Sequence, residues 1–136
     1  MSEAVFQTSK KLIVYWVPVF LWMALIFYLS SFHKLQASEV GWQDFIFRKT
    51  AHFTEYFILF VLFFRANSTT FKIKPKSIIL WSLALTILYA LSDEYHQTFV
   101  SGRTGKIFDI SIDAIGAAAG AVSIKILPER ISKIIL

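Results

Sequence analysis

Residues 12–30 read LIVYWVPVFLWMALIFYLS, nineteen consecutive residues without a charged side chain. A helix of this length, rising about 1.5 Å per residue, crosses a hydrocarbon core of about 30 Å. The competing interpretation is a cleaved signal peptide, because Lys10 and Lys11 precede the run and residues 35–37 resemble a cleavage site. The apolar run is longer than such a leader contains, so the stretch predicts a membrane-spanning helix.

The composition of the whole chain also indicates a membrane protein. Its 136 residues are 56% hydrophobic, with a mean hydropathy of +0.58, and soluble domains of this size are rarely so apolar. The length suits a single domain, residues 1–136. The absence of cysteine excludes disulfides and thiolate metal sites. The net charge of +5 is dispersed and comes without a nucleic-acid-binding motif, which favours membrane lipids over nucleic acid as partners.

Three further segments are predicted to span the membrane, at about residues 47–64, 78–91 and 107–127. Each is less apolar than residues 12–30 and has ionisable side chains within it or close to one end. A charge at the bilayer centre costs about 2.5–3.5 kcal/mol on insertion scales, so these side chains must face protein or water. The prediction is therefore an all-α, polytopic membrane protein, a bundle of four transmembrane helices.

The distribution of basic residues predicts the orientation of this bundle. Cytoplasmic loops carry the larger share of Lys and Arg. One side of the membrane receives nine of the 14 basic residues, which places both termini in the cytoplasm. The nine are Lys10, Lys11, Arg65, Lys72, Lys74, Lys76, Lys125, Arg130 and Lys133. The other five are Lys34, Arg48, Lys49, Arg103 and Lys106.

In this topology, the second span begins, the third ends and the fourth begins at the outer face of the membrane. Ionisable side chains that are far apart in sequence are thereby expected at one level. Arg48, His52 and Glu55 share a face of the second span at i, i+4 and i+7, and Asp93 and His96 share a face at the end of the third. The topology thus predicts a polar site that no local motif reveals.

The fourth span carries a stripe of acids followed by a stripe of small residues. Asp109, Asp113, Gly116 and Gly120 stand at i, i+4, i+7 and i+11, so all four lie on one face. The two glycines form a GxxxG seam, which lets a neighbouring helix approach closely.

Helix dipoles predict which charges pair. Arg48 and Lys49 lie at a helix N-terminus, while Asp93 and Glu94 lie at a helix C-terminus, and each charge has the unfavourable sign for its position. Contact between the second and third spans would let the four charges compensate one another. We therefore expect these spans to be neighbours joined by an ionic network, with Arg103 returning from the next loop to bind a carboxylate.

Three motifs stand in order along the chain. They are K-x-x-H-F-x-E-Y at residues 49–56, D-E-x-H-Q-x-F-x-x-G-R at 93–103 and D-x-x-x-D-x-x-G-x-x-x-G at 109–120. In this order, and with four spans, the chain resembles the VanZ-like membrane proteins of bacteria. The resemblance implies a role in antibiotic resistance, since the founding member lowers susceptibility to the glycopeptide teicoplanin without altering the peptidoglycan precursor. It implies no particular reaction.

A polar site at the outer leaflet suits such a role, because glycopeptides act there. The main hypothesis is that the site binds or processes an anionic envelope component, either a lipid-linked cell-wall precursor or an anionic lipid head group. The candidate ligand-binding residues are Arg48, Lys49, His52, Glu55, Glu94, Gln97, Arg103, Asp109 and Asp113.

Three alternatives remain open at the same site. The main hypothesis involves no cofactor. The first alternative is a metal-assisted hydrolase or transferase that binds a divalent metal, with His52, Asp93 and His96 as the candidate ligands. A purely structural membrane partner would use the polar residues to fix the register of its helices. An enzyme with a serine nucleophile would use Ser92 or Ser101. Both lie near histidines in the sequence, but neither is in a nucleophile-elbow motif. Should the protein be an enzyme, the catalytic candidates are His52, Glu55, Asp93 and His96.

Overall fold

The computed structural model describes residues 3–32, 41–101 and 107–126, and these residues form four α-helices and no strand. The helices are α1 (Glu3–Ser30), α2 (Gly41–Thr70), α3 (Pro75–Gln97) and α4 (Ile107–Ile126). The predicted all-α class is confirmed. Arg103, the cleavage-site resemblance at residues 35–37 and the predicted end of the fourth span at Leu127 lie outside the described residues.

The helices extend beyond the apolar segments that predicted them. α2 begins at Gly41 rather than 47, and α3 continues to Gln97 rather than 91. An apolar segment shows only which part of a helix can lie in lipid. The backbone hydrogen bonds of the helix continue into the polar residues on either side. Because α3 stays helical to Gln97, the acids near its end are held on a regular helical face.

Three of the helices are long and apolar enough to cross a membrane. They are Lys10–Ser30, Pro75–Gln97 and Ile107–Ile126, with mean hydropathies of 2.2, 1.4 and 1.6. α2 is not among them. Its 30 residues correspond to about 45 Å at about 1.5 Å per residue, so it is long enough to cross a membrane. Its ionisable side chains lower its hydropathy, so the fourth spanning helix remains a prediction.

α2 lies at the centre of the bundle and contacts the other three helices. It runs antiparallel to α1, because Trp16 of α1 donates a hydrogen bond to Thr70 Oγ1 (2.8 Å) and Trp22 donates one to the Glu55 carbonyl (2.9 Å). It runs parallel to α4, because Gly116 faces the Phe53 backbone and Gly120 faces Phe60. It runs antiparallel to α3, because Tyr56 contacts Asp93 and Asn67 contacts Ser82. α1 and α3 therefore end, and α2 and α4 begin, at one end of the bundle, here called the polar end.

The small-residue seam of α4 packs directly against α2. A Cβ atom added to Gly116 would collide with the backbone carbonyl of Phe53, and one added to Gly120 would lie 2.7 Å from Cδ1 of Phe60. The predicted role of the GxxxG motif is confirmed. Because neither glycine has a side chain, the α2 and α4 backbones approach closely enough for short polar side chains to meet between them.

The interior is apolar along most of the bundle. Two clusters of buried residues are centred on α2: one packs against α1 and includes Ala90 of α3, and the other packs against α3 and α4. Their members are Val19, Ile26, Tyr56, Leu59, Phe63, Ala66 and Ala90, and Phe60, Phe64, Ile78, Ala117 and Ala121. Many large apolar side chains face outward instead, among them Phe20, Leu21 and Leu80, as expected of helices surrounded by lipid.

A polar contact that the sequence did not predict joins α2 and α3 away from the polar end. Buried Asn67 donates a hydrogen bond to Ser82 Oγ at 3.0 Å. The hydroxyls of Ser82 and Thr86 in turn bond to backbone carbonyls four residues earlier, at 2.8 and 2.7 Å. These groups are satisfied within the helix pair and fix its register, so their role is structural.

Candidate functional site

Polar and ionisable side chains from three helices meet at the polar end of the bundle. Lys49, His52 and Tyr56 lie on one face of α2, at i, i+3 and i+7, and are met by side chains near the end of α3 and the start of α4. We call this set the polar cluster. Its members are Lys49, His52, Tyr56, Asp93, Glu94, Gln97, Asp109 and Asp113.

The contacts between α2 and α4 form two successive pairs of a basic and an acidic side chain along the helix axes. Lys49 pairs with Asp109 nearer the end of the bundle, and their side chains remain 18% and 15% exposed. One turn deeper, His52 Nδ1 lies 3.0 Å from Asp113 Oδ1, and their side chains are 12% and 0% exposed. The polar cluster therefore becomes drier with depth, which strengthens every electrostatic interaction within it.

α3 supplies the third side of the polar cluster. Asp93 is buried, and its Oδ2 atom accepts a hydrogen bond from Gln97 Nε2 at 3.0 Å and a longer one from the Tyr56 hydroxyl at 3.4 Å. The Gln97 bond spans one helical turn of α3, so it orients the carboxylate without joining two helices. The Tyr56 hydroxyl is the link from α2 to this carboxylate.

The predicted network between the cations of α2 and the acids of α3 is wrong, although α2 and α3 are neighbours. Arg48 pairs with Asp44 of its own helix at 2.9 Å, and Lys49 pairs with Asp109 of α4. The physical reason is the glycine seam, which brings α4 rather than α3 closest to this face of α2. The negative charge of Asp44, in the first turn of α2, interacts favourably with the helix dipole. It also offsets the unfavourable interaction of the Arg48 charge with the same dipole.

The structure separates the two described histidines. His52 lies in the polar cluster, whereas His96 faces α1: its ring centroid is 4.2 Å from that of Phe27, and its Nδ1 atom is 3.5 Å from Ser30 Oγ. Glu55, the third member of the predicted α2 face, is half-buried, and its backbone carbonyl accepts the Trp22 hydrogen bond.

The polar cluster includes buried carboxylate oxygens that accept no hydrogen bond from the residues that the structure describes. Asp93 Oδ1 and Asp113 Oδ2 are examples. Unsatisfied buried acceptors are uncommon and costly, at about 1–3 kcal/mol each and more when charged. Each therefore calls for a proton, a water molecule or a bound ligand.

Among the residues that the structure describes, one group of side chains has the geometry to hold a metal ion. His52, Glu94 and Asp113 each offer a ligand atom, and these atoms lie within 4.8 Å of one another. The group differs from the predicted set of His52, Asp93 and His96, since His96 points to α1 and Asp93 bonds to Tyr56 and Gln97. Only His52 is common to both sets.

The fold and the polar cluster together define a small helical membrane protein with ionisable groups buried between its helices. A model of the VanZ/LLP1 family matches residues 3–128, and the chain belongs to this family. The resemblance that the three motifs indicated is thereby confirmed. No significant match was found among curated proteins or among solved structures.

Proposed function

We propose that this VanZ-family protein modulates glycopeptide susceptibility, including that to teicoplanin, by binding an anionic component of the bacterial envelope at the polar cluster. The component is a lipid-linked phosphate or an anionic lipid head group. In this proposal the protein lies in the cell membrane as a multi-pass bundle with both termini cytoplasmic, so that the polar cluster is at the outer leaflet.

The observation that carries this proposal is the convergence of ionisable side chains from α2, α3 and α4 at one end of a bundle whose interior is apolar along most of its length. Ionisable residues inside membrane helices are rare and costly, and they mark ligand or ion pathways more often than packing alone. A bundle that needed only stability would be simpler with aliphatic residues at these positions.

Two cations at the polar end are available to an anion. The side chains of Arg48 and Lys49 are 35% and 18% exposed, and each already pairs with one carboxylate. A phosphate oxygen could approach either cation at the polar end of the bundle without entering the apolar core. The carboxylates of Asp44 and Asp109 would then hold the two cations in place while the anion binds.

The experiment that tests the proposal is teicoplanin susceptibility in a susceptible bacterial host. Expression of the wild type should raise the inhibitory concentration, and Lys49→Gln combined with Arg48→Gln should abolish the increase. Lys76→Gln is the matched control, because Lys76 is exposed at the opposite end of α3. Membrane abundance of each variant is measured in parallel by immunoblot. A wild type that reaches the membrane without changing susceptibility contradicts the proposal.

Mass spectrometry of lipids retained by the purified protein separates the two ligand sources. A lipid-linked phosphate enriched by the wild type and lost in the double variant identifies a cell-wall precursor. Enrichment of anionic phospholipid identifies a head group instead.

A further inference from the structure

We propose that His52, Glu94 and Asp113 bind a divalent transition-metal ion between α2, α3 and α4. Each helix contributes one ligand, and the ligand atoms lie within 4.8 Å of one another. Two ligands each about 2.1 Å from one zinc ion are at most about 4.2 Å apart, so small side-chain rotations complete the geometry.

The buried oxygen of Asp113 gives independent support for a cation at this position. The side chain of Asp113 is fully buried, and Oδ1 contacts His52. Its Oδ2 atom accepts no hydrogen bond from residues 3–32, 41–101 or 107–126. A carboxylate in this condition is stabilised by a cation that approaches its second oxygen.

The charges around this position point to the same conclusion. Arg48 and Lys49 pair with Asp44 and Asp109, nearer the polar end of the bundle. At the depth of His52, the carboxylates of Glu94 and Asp113 come together, and both are buried. A divalent ion between them would lie against both carboxylates at once.

The ligand set indicates which metals would bind. One imidazole nitrogen and two carboxylate oxygens suit zinc, manganese or ferrous iron, and the chain has no thiolate to select a softer metal. An ion with three protein ligands keeps a coordination position for an oxygen of a phosphate or a carboxylate. In this last step the inference rests on the proposed function, since the anion held by Arg48 and Lys49 would also bind the ion.

Metal content of the purified full chain tests the inference. The protein in detergent is stripped with chelator, dialysed against zinc, manganese or ferrous iron separately, and analysed by elemental mass spectrometry. About one ion per chain is expected for at least one metal, with affinity reduced on the order of 100-fold in Asp113→Asn, since second-shell changes alone cost about 10–100-fold. Asp44→Asn is the matched control, because it removes a buried carboxylate of the polar end that is outside the group.

Spectroscopy of the manganese-loaded wild type keeps the inference testable if Asp113→Asn does not fold. Pulsed electron paramagnetic resonance should detect one imidazole nitrogen bound to the ion, and His52→Gln should lose that signal. The chain has two other histidines, His33 and His96, so a signal that survives His52→Gln would place the ion elsewhere and overturn the assignment.

Substoichiometric binding of all three metals would overturn the inference, as would equal binding by wild type and Asp113→Asn. These outcomes do not depend on susceptibility. A protein that binds metal but leaves teicoplanin susceptibility unchanged would contradict the proposed function and leave the metal site standing.

Discussion

His52 of α2 and Asp113 of α4 stand 61 residues apart in the chain, yet their Nδ1 and Oδ1 atoms are 3.0 Å apart in the bundle interior. The Asp113 side chain is fully buried, and the His52 side chain is 12% exposed. This contact is the deeper of the two contacts between basic and acidic side chains that join the described parts of α2 and α4. It lies one turn from the glycine seam, so the same close approach of α2 and α4 produces both features.

Replacement of His52 alone should destabilise the protein strongly. His52→Leu leaves the Asp113 carboxylate buried without its imidazole partner, and breaking a buried pair of this kind typically costs about 3–5 kcal/mol. The double variant His52→Leu with Asp113→Leu removes both groups and should recover most of this loss. Thermal unfolding of the detergent-solubilised protein measures the free-energy changes.

Susceptibility testing of the same double variant separates a structural role of this pair from a functional one. A folded double variant that no longer changes teicoplanin susceptibility assigns function to the pair. Recovery of both folding and the susceptibility effect would leave the pair a purely structural role and contradict the proposed site.

An exchange of charges between Lys49 and Asp109 should show that these residues are in contact. Lys49→Asp and Asp109→Lys each bring like charges together, whereas the double variant restores an ion pair with reversed polarity. Residues in contact typically show coupling free energies of about 0.5–3 kcal/mol. Thermal unfolding of the wild type, both single variants and the double variant gives the coupling, and strictly additive losses would refute the contact.

The two glycines of the α4 seam should differ in their tolerance of alanine. The added methyl of Gly116→Ala meets the Phe53 backbone, which cannot move independently, while that of Gly120→Ala meets chiefly the Phe60 ring. We expect Gly116→Ala to cost about 1–3 kcal/mol, in the range of overpacked cores, and Gly120→Ala to cost less. Ala118→Ser is the control, because Ala118 is exposed. The reverse order in unfolding temperature would contradict the packing described for α2 and α4.

The orientation of the bundle can be measured with single cysteines, because the natural chain contains none. Thr98→Cys, at the polar end, should react with a membrane-impermeant maleimide in intact cells. Lys74→Cys, at the opposite end, should react only after the membrane is made permeable. Both positions are exposed, so a difference in labelling reports the side of the membrane. The opposite pattern would place the polar cluster at the cytoplasmic face and remove the basis for its contact with outer-leaflet ligands.

Much of the architecture was predictable because the bilayer restricts the possible folds. A chain with charge-free or weakly charged segments of helical length must form helices to satisfy its backbone in lipid. Alternation of direction then determines that α2 and α4 begin where α3 ends. The convergence of Lys49, His52, Asp93 and Asp113 follows from topology alone.

The partners within the polar cluster were harder to predict than its location. Helix dipoles make the positions of Lys49 and Asp93 complementary, but they do not determine which helices approach most closely. That information was present in Gly116 and Gly120, since a glycine seam selects the closest neighbour. Combined with the matching spacing of Lys49 and His52 on one helix and Asp109 and Asp113 on another, it would have predicted the pairs that form.

The position of His96 could not be obtained from its spacing. Asp93 and His96 share a face by helical geometry, yet His96 packs on Phe27 while Asp93 bonds to Tyr56. A face that lies between two neighbouring helices divides its side chains between them, and the division depends on packing that a single sequence does not encode locally. The separation of His52 from His96 is therefore information that only the three-dimensional structure supplies.

The central position of α2 has a consequence for biogenesis. The carboxylates that compensate Lys49 and His52 belong to a helix synthesised 60 and 61 residues later, so the nascent second helix emerges from the ribosome before its counter-charges exist. If α2 spans the membrane, each unpaired charge adds a cost of up to about 2.5–3.5 kcal/mol in that interval. We therefore expect α2 to become stable in the bilayer only when α4 arrives beside it.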